Sequence, residues 1–187
     1  MLSIIISGMP AVGKTTAANL LAQELGLKVI GGGDILKEMA RDRGYDPKDE
    51  TWWDTDEGIS FLREREVNPE FDKEADRRLL QKIKQGNVIV TSYTAPWISK
   101  VGFKVWLDGS LEKRTERMAK RDNISLEECR AKIIVRDKEN YELYKRHYGI
   151  EFGTDKKPFD MVINTDNLTA RQVADAILEK MKETGIW

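Results

Sequence analysis

The residues best suited to chemistry lie near the start of the chain, in Gly8-Met9-Pro10-Ala11-Val12-Gly13-Lys14-Thr15, followed by Thr16. This run meets the phosphate-loop spacing G-x-x-x-x-G-K-[S/T] at every fixed position. Gly8 and Gly13 admit backbone conformations that a Cβ obstructs, so successive N–H groups can turn inward on one anion. A helix starting just after the loop adds the positive end of its dipole. Lys14 is then placed to reach β- and γ-phosphates, and the Thr15 hydroxyl to ligate Mg²⁺. The flanking residues suit the motif. Leu2 to Ser7 reads as a short buried strand, and Thr15 to Leu25 sets Ala17, Leu20, Leu21 and Leu25 on one helical face. The expected ligands are a nucleoside triphosphate and Mg²⁺.

A second constellation is cationic. Lys113, Arg117 and Arg121 are spaced i, i+4, i+8 and share a helix face, with Arg114 beside them and Arg130 and Arg136 on the next helix. A guanidinium donates in pairs to phosphate oxygens and stays charged, so the stripe reads as a lid over phosphates. The competing reading is a solvated face, because Glu112, Glu116, Glu127 and Glu128 are interleaved. Asp34 sits where a helix N-cap belongs, and a carboxylate there could also take a proton from an acceptor hydroxyl. Trp97 and Trp106 read as core. With His147 the sole histidine, a histidine metal site or Ser-His pair has little support. Asp54, Asp56 and Glu57 read as a solvated helix start rather than a metal cluster.

These residues must be positioned by strands at 28–30, 87–91, 103–107 and 161–163 besides the first. Helices are expected at 34–43, 71–85, 111–147 (interrupted near Asn123) and 170–182. Asn87-Val88-Ile89-Val90-Thr91 is apolar without alternation, as for a parallel strand covered on both faces. The fold class is α/β: a three-layer P-loop sandwich with a five-stranded parallel sheet and two helical insertions, the second carrying the cationic lid. One domain is expected over 1–187, with the insertion at about 44–86 and the lid at about 121–152. Ligands should bind at the carboxyl ends of the strands.

Thirty-one basic residues nearly cancel thirty-two acidic ones, so no nucleic-acid or membrane partner is expected. A lone cysteine, Cys129, precludes a disulfide framework and suits a cytoplasmic setting. No apolar run is long enough to span a bilayer, and Met1 leads straight into the first strand, so neither a signal peptide nor a membrane span is expected. The chain is expected to be a monomer.

The phosphate loop, Gly33-Asp34-Ile35-Leu36-Lys37-Glu38 and the Arg117–Arg121 helix together resemble the nucleoside monophosphate kinases. Asp72-x-x-x-Asp76-Arg77-Arg78, Tyr144-x-x-x-Tyr148-Gly149-Ile150 and Asp160 to Thr165 are most similar to the short archaeal type of cytidylate kinase. The resemblance implies γ-phosphoryl transfer from ATP to CMP or dCMP. Lys14, Arg117, Arg121 and Arg136 would act on the phosphates, and helices 34–43 and 51–85 would clamp the acceptor. Two departures stand out. Members end the third strand with an acidic residue and Gly-Arg, where this chain has Thr91-Ser92-Tyr93, and an expected arginine is Lys37. The Trp52-Trp53 insertion, with Arg63 and Arg65, is a candidate to supply the missing acceptor contacts alongside Asp34 and Lys37. Two other readings are a P-loop kinase for a metabolite hydroxyl, with Asp34 as base, and a non-catalytic nucleotide-binding module. A GTPase is disfavoured by the lack of an Asn-Lys-x-Asp signature.

Overall fold

A computed structural model describes the chain except residues 49–51, 54 and 69 and the side chains of 65–67. Five strands alternate with eight helices along the described residues. They are β1 (Ser3–Gly8), α1 (Lys14–Leu25), β2 (Lys28–Gly31), α2 (Gly32–Asp42), α3 (Asp56–Val67), α4 (Glu70–Gln85) and β3 (Val88–Thr91). There follow α5 (Ala95–Ile98), β4 (Phe103–Asp108), α6 (Leu111–Asp122), α7 (Leu126–Tyr148), β5 (Met161–Asn164) and α8 (Ala170–Glu183). All pairings are parallel, in the order β2-β3-β1-β4-β5.

The central strand explains the layers. Ile4, Ile5 and Ile6 are all 0% exposed, and alternation sends them to opposite faces. Ile4 and Ile6 pack with Ala17, Leu21, Ile177 and Met181 of α1 and α8. Ile5 joins Ile35, Met39, Leu79 and Ile83 of α2 and α4 on the other side. Each buried isoleucine contributes about 1.5–3 kcal/mol relative to exposure. Because β1 is covered on both faces and paired on both edges, the loop at its carboxyl end starts from a rigid base.

Helix starts follow local chemistry. Ser110, Ser125 and Thr169 each accept from the backbone N–H three residues on, at 3.2 Å. Asn123, at φ 55°, ends α6 in the left-handed conformation and turns the chain into α7, where the sequence indicated an interruption.

Three local expectations are revised. Helix α2 begins at Gly32, so Asp34 is the third helical residue rather than the cap, and its Oδ2 accepts from Gly31 N–H at 2.7 Å. Helix α5 was not anticipated; at four residues it is too short to show a period. Trp52, in the insertion expected to supply acceptor contacts, is 6% exposed and packs among Tyr45, Phe61 and Trp53, so it forms core instead. Asp56 and Glu57 do occupy the first turn of α3, behind a Thr55 cap, as a solvated helix start should. No helix among the described residues is long and apolar enough to cross a membrane, and Cys129 is buried with a free thiol.

Candidate functional site

The β1–α1 loop has the conformation its glycines suggest. Gly8 lies at φ 151° and Gly13 at φ 97°. A Cβ on Gly8 would stand 2.3 Å from the Leu107 carbonyl oxygen of β4, so this position is closed by backbone, not only by dihedral preference. Ala11 also takes a positive φ, 64°, an uncommon conformation for a residue with a side chain and the kind that gathers at ligand clamps. Lys14 folds over the loop, and its Nζ donates to the carbonyls of Gly8 and Met9, both at 2.9 Å. It also lies 4.7 Å from the Tyr93 ring centre. Burial, reinforced by Arg136 and Arg114, lowers its pKa to about 7, with Asp137 opposing.

Two cavities flank this lysine. The first, of about 640 Å³, runs between the loop and the α6–α7 hairpin. It is lined by Pro10 to Ala17 together with Arg117, Arg121, Arg136 and Thr165. The second, of about 360 Å³, lies between α2, α4, the β3 end and the last turn of α7. Lys14, Thr15 and Tyr93 line both, so the two spaces meet at the lysine.

The arginines divide by environment. Arg117 donates Nη1 to Thr165 Oγ1 at 2.9 Å and Nη2 to the Thr165 carbonyl. Arg121 forks onto its neighbour Asp122 at 2.6 and 2.8 Å and keeps most of its side chain in solvent. The positive charge of Arg136 favours the ionised Tyr93 phenol, whereas burial, the larger effect, pushes its pKa up. All three line the larger cavity, whereas Lys113 of the same stripe does not. Arg114 does something else. It is 5% exposed, forks onto Asp137 at 3.0 and 2.7 Å, and reaches the Pro10 carbonyl at 3.4 Å, tying α6, α7 and the phosphate loop together. Lys113 pairs with Glu116 and Arg130 with Glu112, both at the surface.

The acceptor-side expectations fare differently. Among the described residues lining the smaller cavity there is neither Asp34, nor Lys37, nor Arg63. Asp34 is exposed and holds the Gly31 amide, Lys37 is half-buried one turn further along α2, and Arg63 is exposed on α3. The Arg65 side chain lies outside the described residues. In their place stand Gly32 and Gly33, whose amides open the first turn of α2, together with Asp72, Asp76, Tyr144 and Tyr148. Asp76 Oδ1 accepts from Thr94 Oγ1 at 3.2 Å and its Oδ2 from the Tyr148 hydroxyl. Burial raises the Asp76 pKa, with Asp72 adding to it and the two hydroxyls opposing. Burial and the Asp76 carboxylate together push the Tyr148 phenol well above its ordinary value. The sequence quoted Asp76 and Tyr148 only as pieces of a resemblance. Their separation of 72 residues left no local signal that they meet.

The loop suits a triphosphate. A Cβ on Gly13 would meet open space, Thr15 is exposed toward both cavities, and the neighbouring cations are arginines that cannot deprotonate. It suits Mg²⁺ only as an ion carried by the nucleotide. Among the described residues no group of three or more acidic, histidine or cysteine side chains could hold a metal. Thr15 would therefore supply the protein's ligand to the ion, with the rest coming from phosphate oxygens and water.

A parallel sheet with β1 central, a phosphate loop at its carboxyl end and two cavities meeting at the loop lysine define a P-loop kinase. The fold likeness extends to solved structures. An uncharacterized protein from Eubacterium ventriosum superposes with TM-score 0.71 at 15% identity, covering 97% of this chain and 98% of that one. Shikimate kinase from Acinetobacter baumannii, in complex with shikimate, gives 0.58 at 20% identity over 98% and 94%. Sequence comparison is narrower. The model of the cytidylate kinase-like family matches residues 3–167. The cytidylate kinase of Pyrococcus horikoshii is 36% identical over 165 residues, 88% of this chain and 80% of that protein. That of Sulfurisphaera tokodaii is 35% identical over 180 residues, 93% and 92% of the two chains. The chain belongs to the cytidylate kinase-like family and is a phosphotransferase.

Proposed function

We propose that the chain transfers the γ-phosphoryl group of Mg·ATP to a pyrimidine nucleoside monophosphate, with CMP and dCMP as the leading acceptors. The observation that carries this reading is the meeting of two cavities at Lys14, Thr15 and Tyr93, one ringed by arginines and the other entered through the α2 N-terminus. ATP lies in the larger space, its phosphates on the loop amides and Lys14, its Mg²⁺ on Thr15. An oxygen of the acceptor phosphate attacks Pγ, the bond from Pγ to the β-bridging oxygen breaks, and ADP leaves; a Mg²⁺ held by Thr15 would supply charge neutralisation on the phosphates.

That acceptor oxygen is already ionised near neutral pH, so the step needs no general base. This agrees with an Asp34 engaged as a helix-terminal acceptor instead of facing the crevice. The acceptor phosphate rests on Lys14 and the Gly32 and Gly33 amides, where unpaired first-turn N–H groups and the helix dipole favour an anion. Lys37 and Arg63 would have to move with their helices to reach it, and Arg65 stands as a further candidate contact. Arg117, Arg121 and Arg136 neutralise charge as the γ-group moves, with the α6–α7 hairpin closing as a lid over the phosphates. The protein works as a monomer in a reducing cytoplasm, consistent with its buried free thiol.

One observation favours the second reading, a kinase for a metabolite hydroxyl: the described lining of the smaller cavity contains no arginine. Coupled ADP release separates the two. Stimulation by CMP or dCMP supports the first reading. Stimulation by no monophosphate discards it while leaving the phosphate loop in place.

A further inference from the structure

The smaller cavity carries an uneven charge that the phosphoryl transfer itself does not use. At its loop end stand Lys14, Thr15 and the α2 amides; on α4 stand Asp72 and, one turn later, Asp76. Asp76 is held from two sides, by Thr94 following β3 and by Tyr148 at the end of α7. A half-buried carboxylate fixed by elements so far apart in sequence is costly to keep unless it meets something. Two donors occupy two of its roughly four lone-pair sites, leaving acceptor capacity toward the cavity. An acceptor phosphate is repelled from this wall and drawn to the loop, so the opposite end of the acceptor faces the aspartates.

Resting on the nucleotide reading above, we propose that Asp76 is the specificity-determining residue for the acceptor base, accepting a hydrogen bond from an exocyclic amine. The chemistry selects a 4-aminopyrimidine. Cytosine presents an amine donor at that edge, which a carboxylate accepts. Uracil presents a carbonyl oxygen there, which sets two acceptors against each other. Asp72 adds negative potential on the same helix face, and Tyr148 holds the Asp76 carboxylate in place.

The test compares kcat/KM for CMP and UMP, with saturating ATP, in the wild type, Asp76→Asn and Tyr148→Phe. The wild type should favour CMP by about five- to a hundredfold, the range of one good base contact. Asp76→Asn should lose most of that ratio, through a higher KM for CMP with UMP little changed or improved. Tyr148→Phe keeps the charge but frees the carboxylate, so the ratio should fall partway. A wild type that uses CMP and UMP equally overturns the proposal and leaves the kinase reading standing. So does an Asp76→Asn variant that loses both substrates in step, the result expected of a purely structural aspartate. Absence of turnover with either nucleotide overturns both readings. Thermal melts of the variants show whether a proportional loss reflects folding.

Discussion

The Arg114–Asp137 pair offers the sharpest quantitative test, because its two members are buried to different extents. The Arg114 side chain is 7% exposed and that of Asp137 21%. Their attraction offsets the cost of removing two charges from water, so deleting one partner strands the other, typically at about 3–5 kcal/mol. Water reaches Asp137 more readily, so the two deletions should differ. Asp137→Ala strands the more buried charge, and after discounting for partial exposure should cost about 2–4 kcal/mol. Arg114→Met leaves an aspartate that solvent can reach, and about 1–2 kcal/mol is expected. In a chain this long, 1 kcal/mol corresponds to about 2–4 °C in Tm, so Asp137→Ala should melt roughly 4–16 °C lower. The double variant Arg114→Met/Asp137→Leu should recover most of the loss, since neither charge remains to be satisfied. Calorimetry on the four proteins closes the cycle. A Tm drop of less than about 2 °C for Asp137→Ala, or an equal loss for both single changes, would refute the argument that burial sets the cost.

Other expectations concern the site. Lys14→Ala should cut turnover on the order of a thousandfold with the fold intact, as circular dichroism and a coupled assay would show; near-normal turnover sinks the kinase reading. Lys14 has a pKa of about 7 in the free protein, and bound phosphates must raise it, so the complex holds the extra proton. ATP affinity should therefore be flat below pH 7 and fall above it, approaching about tenfold per unit, with the dependence absent in Lys14→Met; titration calorimetry in buffers of different ionisation enthalpy reads the proton uptake directly. Arg121→Ala and Arg136→Ala should lower kcat more than ATP affinity if these side chains act after closure, and unchanged kcat in both would make them surface charges. Gly8→Ala should abolish nucleotide binding and destabilise the fold, because its Cβ meets the Leu107 carbonyl oxygen at 2.3 Å; a tightly binding variant would show that β1 and β4 can part there.

Much of this architecture was readable because it rests on local rules. The phosphate loop is defined by spacing, the parallel strands by unbroken apolar runs, and α1 and α8 by their stripes. That Arg117 and Arg121 line one cavity was legible for the same reason, since they are one helical turn apart. Arg114 was misplaced by attention to charge alone. Leu111, Thr115 and Met118 share its face, and that register, read for hydrophobicity, would have turned it inward. The acceptor side was poorly legible because its walls are assembled from α2, α4, the residues after β3 and the end of α7. Asp76, Thr94 and Tyr148 become neighbours only through the sheet order. Asp34 was drawn to the cap position by residue type, whereas the chain starts its helix on glycines and uses the carboxylate one turn in.

The position of Tyr93 bears on fidelity. Any enzyme that exposes Pγ to an incoming oxygen must contend with water, which is smaller than every acceptor and always present. Here one of the side chains lining both cavities is an aromatic ring, packed against Tyr144 and Phe152 and capped by a lysine. A ring offers a solvent molecule no hydrogen-bonding surface on its faces comparable to that of a carboxylate or guanidinium. Tyr93 thus gives this part of the boundary an apolar face. Replacing Tyr93 with a small polar side chain should therefore raise the ADP released when no acceptor is present, and an unchanged background rate would show that the ring plays no such part.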